Sequence, residues 1–336
     1  MINFRFHIVS LTAVLLALGV GLVLGTTFLD DATVNQLRSQ LDGLEADLDR
    51  AQARNDELSA RLDTFEDEAA QLDEQLGERL YGGQLDGDPV LVVSTRGVDG
   101  EWTDAVLTAL GQADADVVGV WWLTDRLALD DESEVADLST ALELSTDDVD
   151  RLRRSLALQL ADVLFAAVDA PGGGTPDLGA SAEPALLARL REAGFVDYDL
   201  PDGADGDVVA LPTAGLRVVV VDGPGASLAP GDVVLPVLTD LSTGGPVPVV
   251  ATQPTPTPEE DQAADGDPPP PTLVASVRDN DDLVARMSTV DDLDRVSGRI
   301  ATLLATVDAV PGAPVVGHYG IGDGADRLLP PAAGTG

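Results

Sequence analysis

Few side chains in this sequence have the chemistry of a catalytic or metal-binding site. Beyond His7 near the N-terminus, the only histidine is His318, in the glycine-rich stretch 316–324. Imidazole is a common metal ligand and a common general base, so His318 is a weak metal candidate. The alternative is a hydrogen-bonded structural histidine. The surrounding glycines predict a tight turn with exposed backbone.

Other chemical signatures are missing from the sequence. Cysteine does not occur, which removes disulfides, thiolate metal sites and cysteine nucleophiles. There is no G-x-S-x-G elbow and no histidine pair at metal-binding spacing. The acidic stretches 130–132 and 197–207 lack the spacing of a calcium loop, and we interpret them as solvated loops. We predict no catalytic residue, no certain cofactor and no enzyme activity. A hydrolase-like head is a weaker alternative.

The charge of the chain restricts its partners. Acidic residues number 59 and basic residues 19, and all of the latter are Arg, so the net charge is -40. Such a chain repels nucleic acid and anionic lipid headgroups, which excludes nucleic acid as a partner. The excess acid is typical of a solvated surface. Weak collection of cations is the alternative.

An uncharged run of residues 8–28 follows a short head, residues 1–7. As a helix it is about 31 Å long, enough to cross a bilayer core. No small-x-small cleavage site follows, so we predict a transmembrane signal anchor at residues 8–29. Arg5 favours a cytoplasmic head and an extracytoplasmic remainder of a cell-membrane or envelope protein. Small residues four apart are predicted to pack against another membrane helix. They are Ala13, Ala17, Gly21 and Gly25.

Residues 32–81 have apolar side chains at alternating steps of three and four. With Val34 as position a, the pattern holds for six heptads, and Asn55 is its single polar a or d residue. The pattern predicts a long parallel coiled coil, because an Asn at a can pair with its own copy in an in-register homodimer. An antiparallel hairpin or packing onto the chain's own domain is the alternative. The oligomerisation residues are Leu37, Leu41, Leu44, Leu48, Asn55, Leu58, Leu62, Phe65, Leu72 and Leu76.

From residue 88 onward, strands that are apolar throughout alternate with helices. This pattern predicts an α/β domain with a mainly parallel sheet covered on both faces. Its first part is residues 88–252. The predicted strands there are 90–95, 116–123, 207–211, 216–221 and 247–252, and the predicted helices are 101–112, 134–144, 147–168 and 183–193.

Proline and acidic residues dominate residues 253–272, which predicts a linker or loop. Residues 273–326 are predicted to be the C-terminal part of the α/β domain. Strands are expected at 273–277 and near Val315, and helices at 281–287 and 297–307. Residues 327–336 are predicted to be a disordered tail.

Three stretches of the sequence resemble one known family. The first is the apolar segment from His7 through Gly25, the second is T-V-D-D-L-D at 289–294 with G-R-I at 298–300, and the third is G-H-Y-G at 317–320. In this order, with heptads after the first, the chain resembles the actinobacterial copper transporter family. In mycobacteria that family is described as a copper-transport outer-membrane protein family.

The resemblance implies a role in copper homeostasis or efflux in the cell envelope, with copper as ligand and with envelope or cell-division proteins as partners. Soft copper ligands are nevertheless scarce. Cu(I) prefers thiolate and thioether and Cu(II) prefers imidazole, but the chain has no Cys, two Met and two His. One copy cannot assemble a dedicated copper site from them. The alternative function is a coiled-coil envelope scaffold that recruits cell-wall or cell-division proteins and transports no metal.

Overall fold

The computed structural model describes residues 4–168, 183–200, 209–212, 214–256 and 271–331. Within the first helix, only the side chains of residues 6–24, 40–41, 43–44, 47–61, 64 and 81 are described. The chain divides into two compact units, Met1–Ala69 and Ala70–Gly336. Parts of several predicted segments lie outside the described residues. These are 1–3 of the head, 169–182, 201–208 and 213 of the first part of the α/β domain, 257–270 of the linker and 332–336 of the tail. The start of the strand predicted at 207–211 is among them.

The first helix, α1, runs unbroken from Phe4 to Tyr81 over 78 residues. No proline precedes Pro89, so every residue of this segment can donate its backbone N–H. The helix covers both the predicted membrane segment and the predicted heptads. Its helical conformation is confirmed, whereas its pairing with another helix stays a prediction.

The second unit contains a seven-stranded sheet in the order β3-β2-β1-β4-β5-β6-β7. All neighbouring strands are parallel except β3, which pairs antiparallel with β2. The predicted mainly parallel α/β sheet is therefore confirmed. The strands are β1 Pro89–Thr95, β2 Asp116–Leu123, β3 Val196–Asp199, β4 Arg217–Val221, β5 Val249–Thr252, β6 Ser288–Val290 and β7 His318–Tyr319.

Helices cover both faces of this sheet. Alternate side chains of β1 pack on opposite faces of the sheet. Leu91 and Val93 belong to one hydrophobic core, and Val90 and Val92 belong to the other. The first core includes residues of α3 to α7, and the second includes residues of α2 and α8. The helices are α2 Gly100–Gln112, α3 Glu132–Ala141, α4 Val149–Val168, α5 Ala185–Glu192, α6 Val234–Leu241, α7 Leu273–Arg278 and α8 Val296–Asp308.

The strand predicted at 273–277 is wrong, because this segment forms helix α7. Side chains from three places bind the first N–H groups of α7. Asp222 accepts from Leu273, Gln253 accepts from Val274, and Thr272 accepts from Ala275. Such capping favours a helix over a strand, and it is contributed mostly by residues distant in sequence.

Other predicted elements differ from the structure at the C-terminal edge of the sheet. Residues 281–286 form turns rather than a helix, and β7 lies at 318–319, past Val315. Residues 209–212 contain buried Val209 and Leu211 but no extended strand. Beyond β7, the outer edge of the sheet is covered by the following chain. The N–H of Asp326 donates to the carbonyl of His318 at 2.8 Å, and that of Gly320 donates to Arg327 at 3.0 Å.

The acidic stretch that begins at Asp197 was predicted to be a solvated loop, and this is wrong for its first residues. Asp197 and Asp199 lie in edge strand β3. Arg96 donates to the Asp197 carboxylate at 3.1 Å, and the Trp122 indole N–H donates to Asp199. The Arg96 guanidinium also lies 4.7 Å from the centre of the Trp122 ring. These carboxylates therefore join β3 to the loop after β1 and to β2.

Candidate functional site

The first candidate surface is the apolar start of α1. Residues Phe6–Leu24 form a helical segment of 19 residues with a mean hydropathy of 2.3, and all of it is exposed. This length and composition are sufficient to cross a membrane. Ala13, Ala17 and Gly21 are exposed as predicted for a packing face, and no atom lies within 4 Å of a Cβ built on Gly21. The surroundings of Gly25 lie outside the described part.

The second candidate surface is a row of leucines farther along α1. Leu41, Leu44, Leu48 and Leu58 are 58–65% exposed, and Asn55 is exposed in the same row. A free leucine face of this kind is apolar surface that association would remove from water. The side chains of the other predicted oligomerisation residues lie outside the described part. They are Leu37, Leu62, Phe65, Leu72 and Leu76.

The carboxyl edge of the sheet is the usual place for a ligand in an open α/β fold, at the point where strand order reverses. Here that point lies between β1 and β4, and backbone closes it. A Cβ on Gly97 would lie 2.1 Å from the carbonyl oxygen of Gly225, and Ser227 donates its N–H to Arg96 at 2.8 Å. The N-terminus of α2 is also filled, because the Asp99 carboxylate accepts from Glu101 N–H at 3.1 Å. An anion arriving there would meet a carboxylate.

Beside this closed crevice, an open cleft of about 450 Å³ lies between the loops that follow β4 and β5. Its wall contains Asp222 and Gln253, which already accept the N–H groups of α7. Burial raises the pKa of the Asp222 carboxyl, while its backbone hydrogen bonds act in the opposite direction. Proline also lacks an N–H, so much of the wall offers no donor. The prolines are Pro224, Pro230, Pro254, Pro256 and Pro271.

Loops at the ends of β6 and β7 bring together two of the sequence stretches that carry the family resemblance. The Asp291 carboxylate accepts the N–H groups of Ile321 and Gly322 at 2.8 to 3.1 Å and forms an ion pair with Arg278. Arg278 further donates to the carbonyls of Tyr319 and Asp323. A Cβ on Gly320 would lie 2.0 Å from Asp291 Oδ1, so glycine is required at that close approach. We call Arg278, Asp291, Thr289 and His318 the C-terminal cluster.

His318 lies in this cluster with both ring nitrogens hydrogen-bonded. Its Nε2 lies 2.8 Å from the Val284 carbonyl, to which it can only donate, and its Nδ1 lies 2.9 Å from Thr289 Oγ1. Arg278 Nε donates to the same Thr289 oxygen at 2.8 Å. Burial lowers the pKa of His318, which favours the neutral ring. Metal binding by His318 stays a prediction, and it would require one of these hydrogen bonds to open.

Asp292, next to the cluster, is completely buried. Ser297 donates to its Oδ2 at 2.8 Å, whereas its Oδ1 has no hydrogen-bond partner among the described residues. Burial raises the pKa of Asp292, and the neighbouring carboxylates of Asp291 and Asp294 act in the same direction. Its backbone carbonyl lies against Gly298 of α8, where a Cβ would approach it to 1.9 Å. Sequence reasoning quoted Asp291 and Asp292 in a motif but did not predict this structural role.

The geometry gives little support for a metal site in one copy. Within the part of the chain that the structure describes, no group of three or more His, Asp or Glu side chains could hold a metal ion. Met287 is buried in the core, and Met1 lies outside the described residues. The described candidate surfaces therefore favour association with a membrane and with a protein.

Comparison with known proteins gives matches over almost the whole chain. Residues 1–330 match the family described as "Copper transport outer membrane protein, MctB". The protein named "Copper transporter MctB" of Mycobacterium tuberculosis (strain ATCC 25618 / H37Rv) is 32% identical over 335 residues, covering 97% of this chain and 98% of that one. The values for Mycobacterium bovis are the same. The Mycobacterium leprae protein of that name is 28% identical over 342 residues, covering 98% and 100%.

Proposed function

The chain belongs to the MctB family of copper transport outer membrane proteins, and we propose that it acts in copper homeostasis or efflux as a membrane-anchored, self-associating envelope protein. The observation that carries this proposal is the family match over residues 1–330. The relatives are named as transporters rather than enzymes, which agrees with the sequence prediction of a non-enzyme.

The exposed apolar segment Phe6–Leu24 supports the anchor. Exposure of apolar surface to water is unfavourable by about 25 cal/mol for each Å², relative to burial. This helix is therefore more stable in an apolar environment. A lipid bilayer supplies it over the length of the segment. With Arg5 on the short side, we propose a cytoplasmic head and an extracytoplasmic α/β domain.

The exposed leucines of α1 support self-association. The helices α2 to α8 bury most of their apolar side chains in the cores of the sheet domain. Among the described residues, no second free amphipathic helix matches the heptads of α1. A second copy does match, and it allows the two Asn55 side chains to pair. We therefore propose a parallel coiled-coil homodimer.

The sparse ligand set argues for an efflux component or accessory rather than a self-sufficient metal carrier. Among the described residues no metal-binding group forms in one copy. We propose that the copper site of this protein is shared between copies or with another envelope protein. The proposed copper role thus rests on family membership. The proposed membrane anchoring and self-association rest on the apolar segment and the leucine row of α1.

The test is complementation of a deletion strain. We expect deletion to raise cellular copper content and copper sensitivity, and the wild-type gene to restore both. The Leu44→Asp/Leu48→Asp variant should lose self-association and fail to complement. The Ala53→Asp/Ala60→Asp variant is the matched control, because it adds the same charge at exposed positions outside the a and d rows. Unchanged copper content and sensitivity in the deletion strain would overturn the copper role.

The second candidate function is an envelope scaffold that recruits cell-wall or cell-division proteins without moving metal. The exposed leucine row favours it, together with the scarcity of ligands. Calorimetry on the detergent-purified full chain with Cu(II), Cu(I) and Ca²⁺ separates the two functions. Selective copper binding supports a shared copper site, with His318 as the first residue to change. Weak binding that Ca²⁺ reproduces indicates bulk carboxylates and favours the scaffold.

A further inference from the structure

The outer face of α4 carries exposed residues of an unusual kind. Arg151, Arg154, Leu158, Asp162 and Phe165 are all exposed, and their steps of three and four place them on one side of the helix. Leu158 is 54% exposed and Phe165 is 47% exposed, although the rest of the apolar side chains of α4 pack mostly into the core. We call these five residues the α4 face.

The two arginines of this face have no carboxylate partner among the described residues. In a chain with 59 acidic residues, neither Arg151 nor Arg154 forms an ion pair with any described carboxylate. Arg154 donates its Nε to the backbone carbonyl of Asp150 at 3.1 Å. Asp162 lies close to Asp240 of α6, where burial and then the charge of Asp162 raise the pKa of Asp240. Among the described residues, the face therefore presents two arginines without a carboxylate partner at one end and the neighbouring carboxylates of Asp162 and Asp240 at the other.

The order of these residues is symmetric about Leu158. Arg154 precedes Leu158 by four residues and Asp162 follows it by four, while Arg151 and Phe165 are seven residues away on either side. In an antiparallel pair of α4 helices centred on Leu158, Arg154 of each copy is level with Asp162 of the other. Arg151 is likewise level with Phe165, a pairing of cation with aromatic ring.

We propose that the α4 face is a two-fold interface that docks a second copy of this chain. A two-fold contact uses the same patch on both copies and so requires a self-complementary patch, which the α4 face provides in charge and in apolar content. Beside Leu158, an open groove of about 430 Å³ between α4 and α6 includes Leu235, Pro236 and Thr239 in its wall. This groove adds apolar surface beside the point where the two Leu158 side chains meet.

One helix face buries less surface than the ~1,200 Å² or more of a typical stable interface. The α4 contact is therefore weak between free molecules and forms readily only when another contact holds two copies together. The inference rests on the proposed α1 self-association in one respect only: that association holds two copies close enough for the weak α4 contact to form. The copper role has no part in it.

The absence of cysteine permits a direct test on the full chain. A two-fold axis at Leu158 brings the same position of both copies into contact, so the Leu158→Cys variant should form an intermolecular disulfide under mild oxidation. Asp104→Cys is the control, at an exposed position of α2 on the opposite side of the sheet. We expect cross-linking at least about tenfold faster at position 158, because proximity raises the effective concentration of the thiols. Equal rates at both positions would overturn the proposal.

A charge exchange tests the pairing of Arg154 with Asp162. Adding Arg154→Glu to Leu158→Cys places carboxylates level with each other and should slow cross-linking about fivefold or more. Adding Asp162→Arg as well restores opposite charges and should return the rate to within about twofold of that of Leu158→Cys alone. Failure of the exchange to restore the rate rejects the antiparallel register. Charge reversal at Arg154 without any effect rejects it too.

Two further outcomes separate this inference from the proposed function. If a disulfide through Leu48→Cys forms in α1 but none forms through Leu158→Cys, the α1 dimer stands and the α4 interface fails. If Leu158→Cys in cells cross-links only to a different protein, the face docks another partner and the two-fold proposal fails. Neither result depends on copper content or copper sensitivity.

Discussion

The side chains of Arg278 and Asp291 form an ion pair in which both partners are about 95% buried, with exposures of 5% and 4%. The pair joins the end of α7 to the end of β6, and the backbone N–H groups of Ile321 and Gly322 complete the shell of the carboxylate. Three segments that are separate in sequence therefore meet at one carboxylate. Burial of the Asp291 carboxylate is energetically tolerable only when all of these partners are present together.

We expect Asp291→Asn to lower the free energy of unfolding of the α/β domain by about 3–5 kcal/mol, because it leaves a buried arginine without its counter-charge. The Arg278→Met/Asp291→Asn double variant should lose less than the sum of the two single variants. All three tryptophans lie in this domain, so urea unfolding followed by Trp fluorescence is the measurement. The control is Asp137→Asn, which breaks an exposed pair with Arg126 and should cost at most about 1 kcal/mol. Equal losses for the two carboxylates would contradict the prediction.

Two glycines in helices should respond oppositely to substitution by alanine. Gly298→Ala places a Cβ 1.9 Å from the carbonyl oxygen of Asp292, so the N-terminus of α8 must move away from the loop. We expect a loss of about 2 kcal/mol or more. No atom lies within 4 Å of a Cβ on Gly111, near the end of α2, so Gly111→Ala should raise stability by roughly 0.5–1 kcal/mol. The same urea measurement would refute the steric argument if both variants shifted in one direction.

The stability of the domain should fall at mildly acidic pH because of His318. Its folded-state pKa is lowered below the usual 6.5, chiefly by burial, so the folded state disfavours the protonated ring. This contribution is fully present above pH 6.5 and decreases as the pH falls from 6.5 towards the folded-state pKa. We expect His318→Gln to be less stable at about pH 8 yet to lose less on acidification to about pH 5.

The measurement is the urea midpoint at several pH values, taken as the difference between wild type and His318→Gln. The contribution of Asp292 to stability changes with pH in the opposite direction, because its raised pKa favours protonation in the folded state. This contribution is the same in wild type and in His318→Gln. The difference therefore isolates the histidine. Parallel pH profiles for the two proteins would exclude His318 as the source.

Asn55 should restrict the α1 coiled coil to one register at some cost in stability. We expect Asn55→Leu to strengthen self-association and to yield species larger than a dimer, because a buried polar a residue favours the two-stranded, in-register form. Analytical ultracentrifugation of the full chain in detergent gives the mass. Asp56→Leu, at the adjacent exposed position, is the control and should keep the wild-type mass. A weaker, purely dimeric Asn55→Leu variant would argue against pairing at this position.

Salt should stabilise the folded protein. At a net charge of -40, compaction brings carboxylates together. Raising NaCl from about 0.1 M to about 1 M shortens the screening length from about 10 Å to about 3 Å, and this reduces the repulsion. We expect the urea midpoint to rise with NaCl, and choline chloride to act similarly at equal ionic strength. A response to CaCl₂ alone would instead indicate specific cation binding.

The broad architecture could be predicted from sequence because it depends on local patterns. An uninterrupted apolar run and regular heptads indicate a long helix, and the run Val90–Val93 reads as a buried strand. These patterns are periodic and extend over many residues. The α1 helix and the mainly parallel sheet were confirmed for this reason.

The errors lie where distant residues determine local structure. The segment at Leu273 has the composition of a strand, but Asp222 and Gln253 cap its first N–H groups and make it a helix. Strand β3 looks like an acidic loop until Arg96 and Trp122 are placed beside its carboxylates. Arg278 carried no sequence signal at all, since its partner Asp291 is thirteen residues away on another element.

The covered outer edge of β7 has a consequence for the fate of the protein after proteolysis. Strand β7 has only two residues, and the segment that contains Asp326 and Arg327 occupies its outer hydrogen-bonding groups. Trimming of the chain back to Gly324 would remove Asp326 and Arg327 and expose the outer edge of β7. Such an edge is a template for pairing with other chains, so the trimmed product should aggregate even though its sheet and helices remain folded.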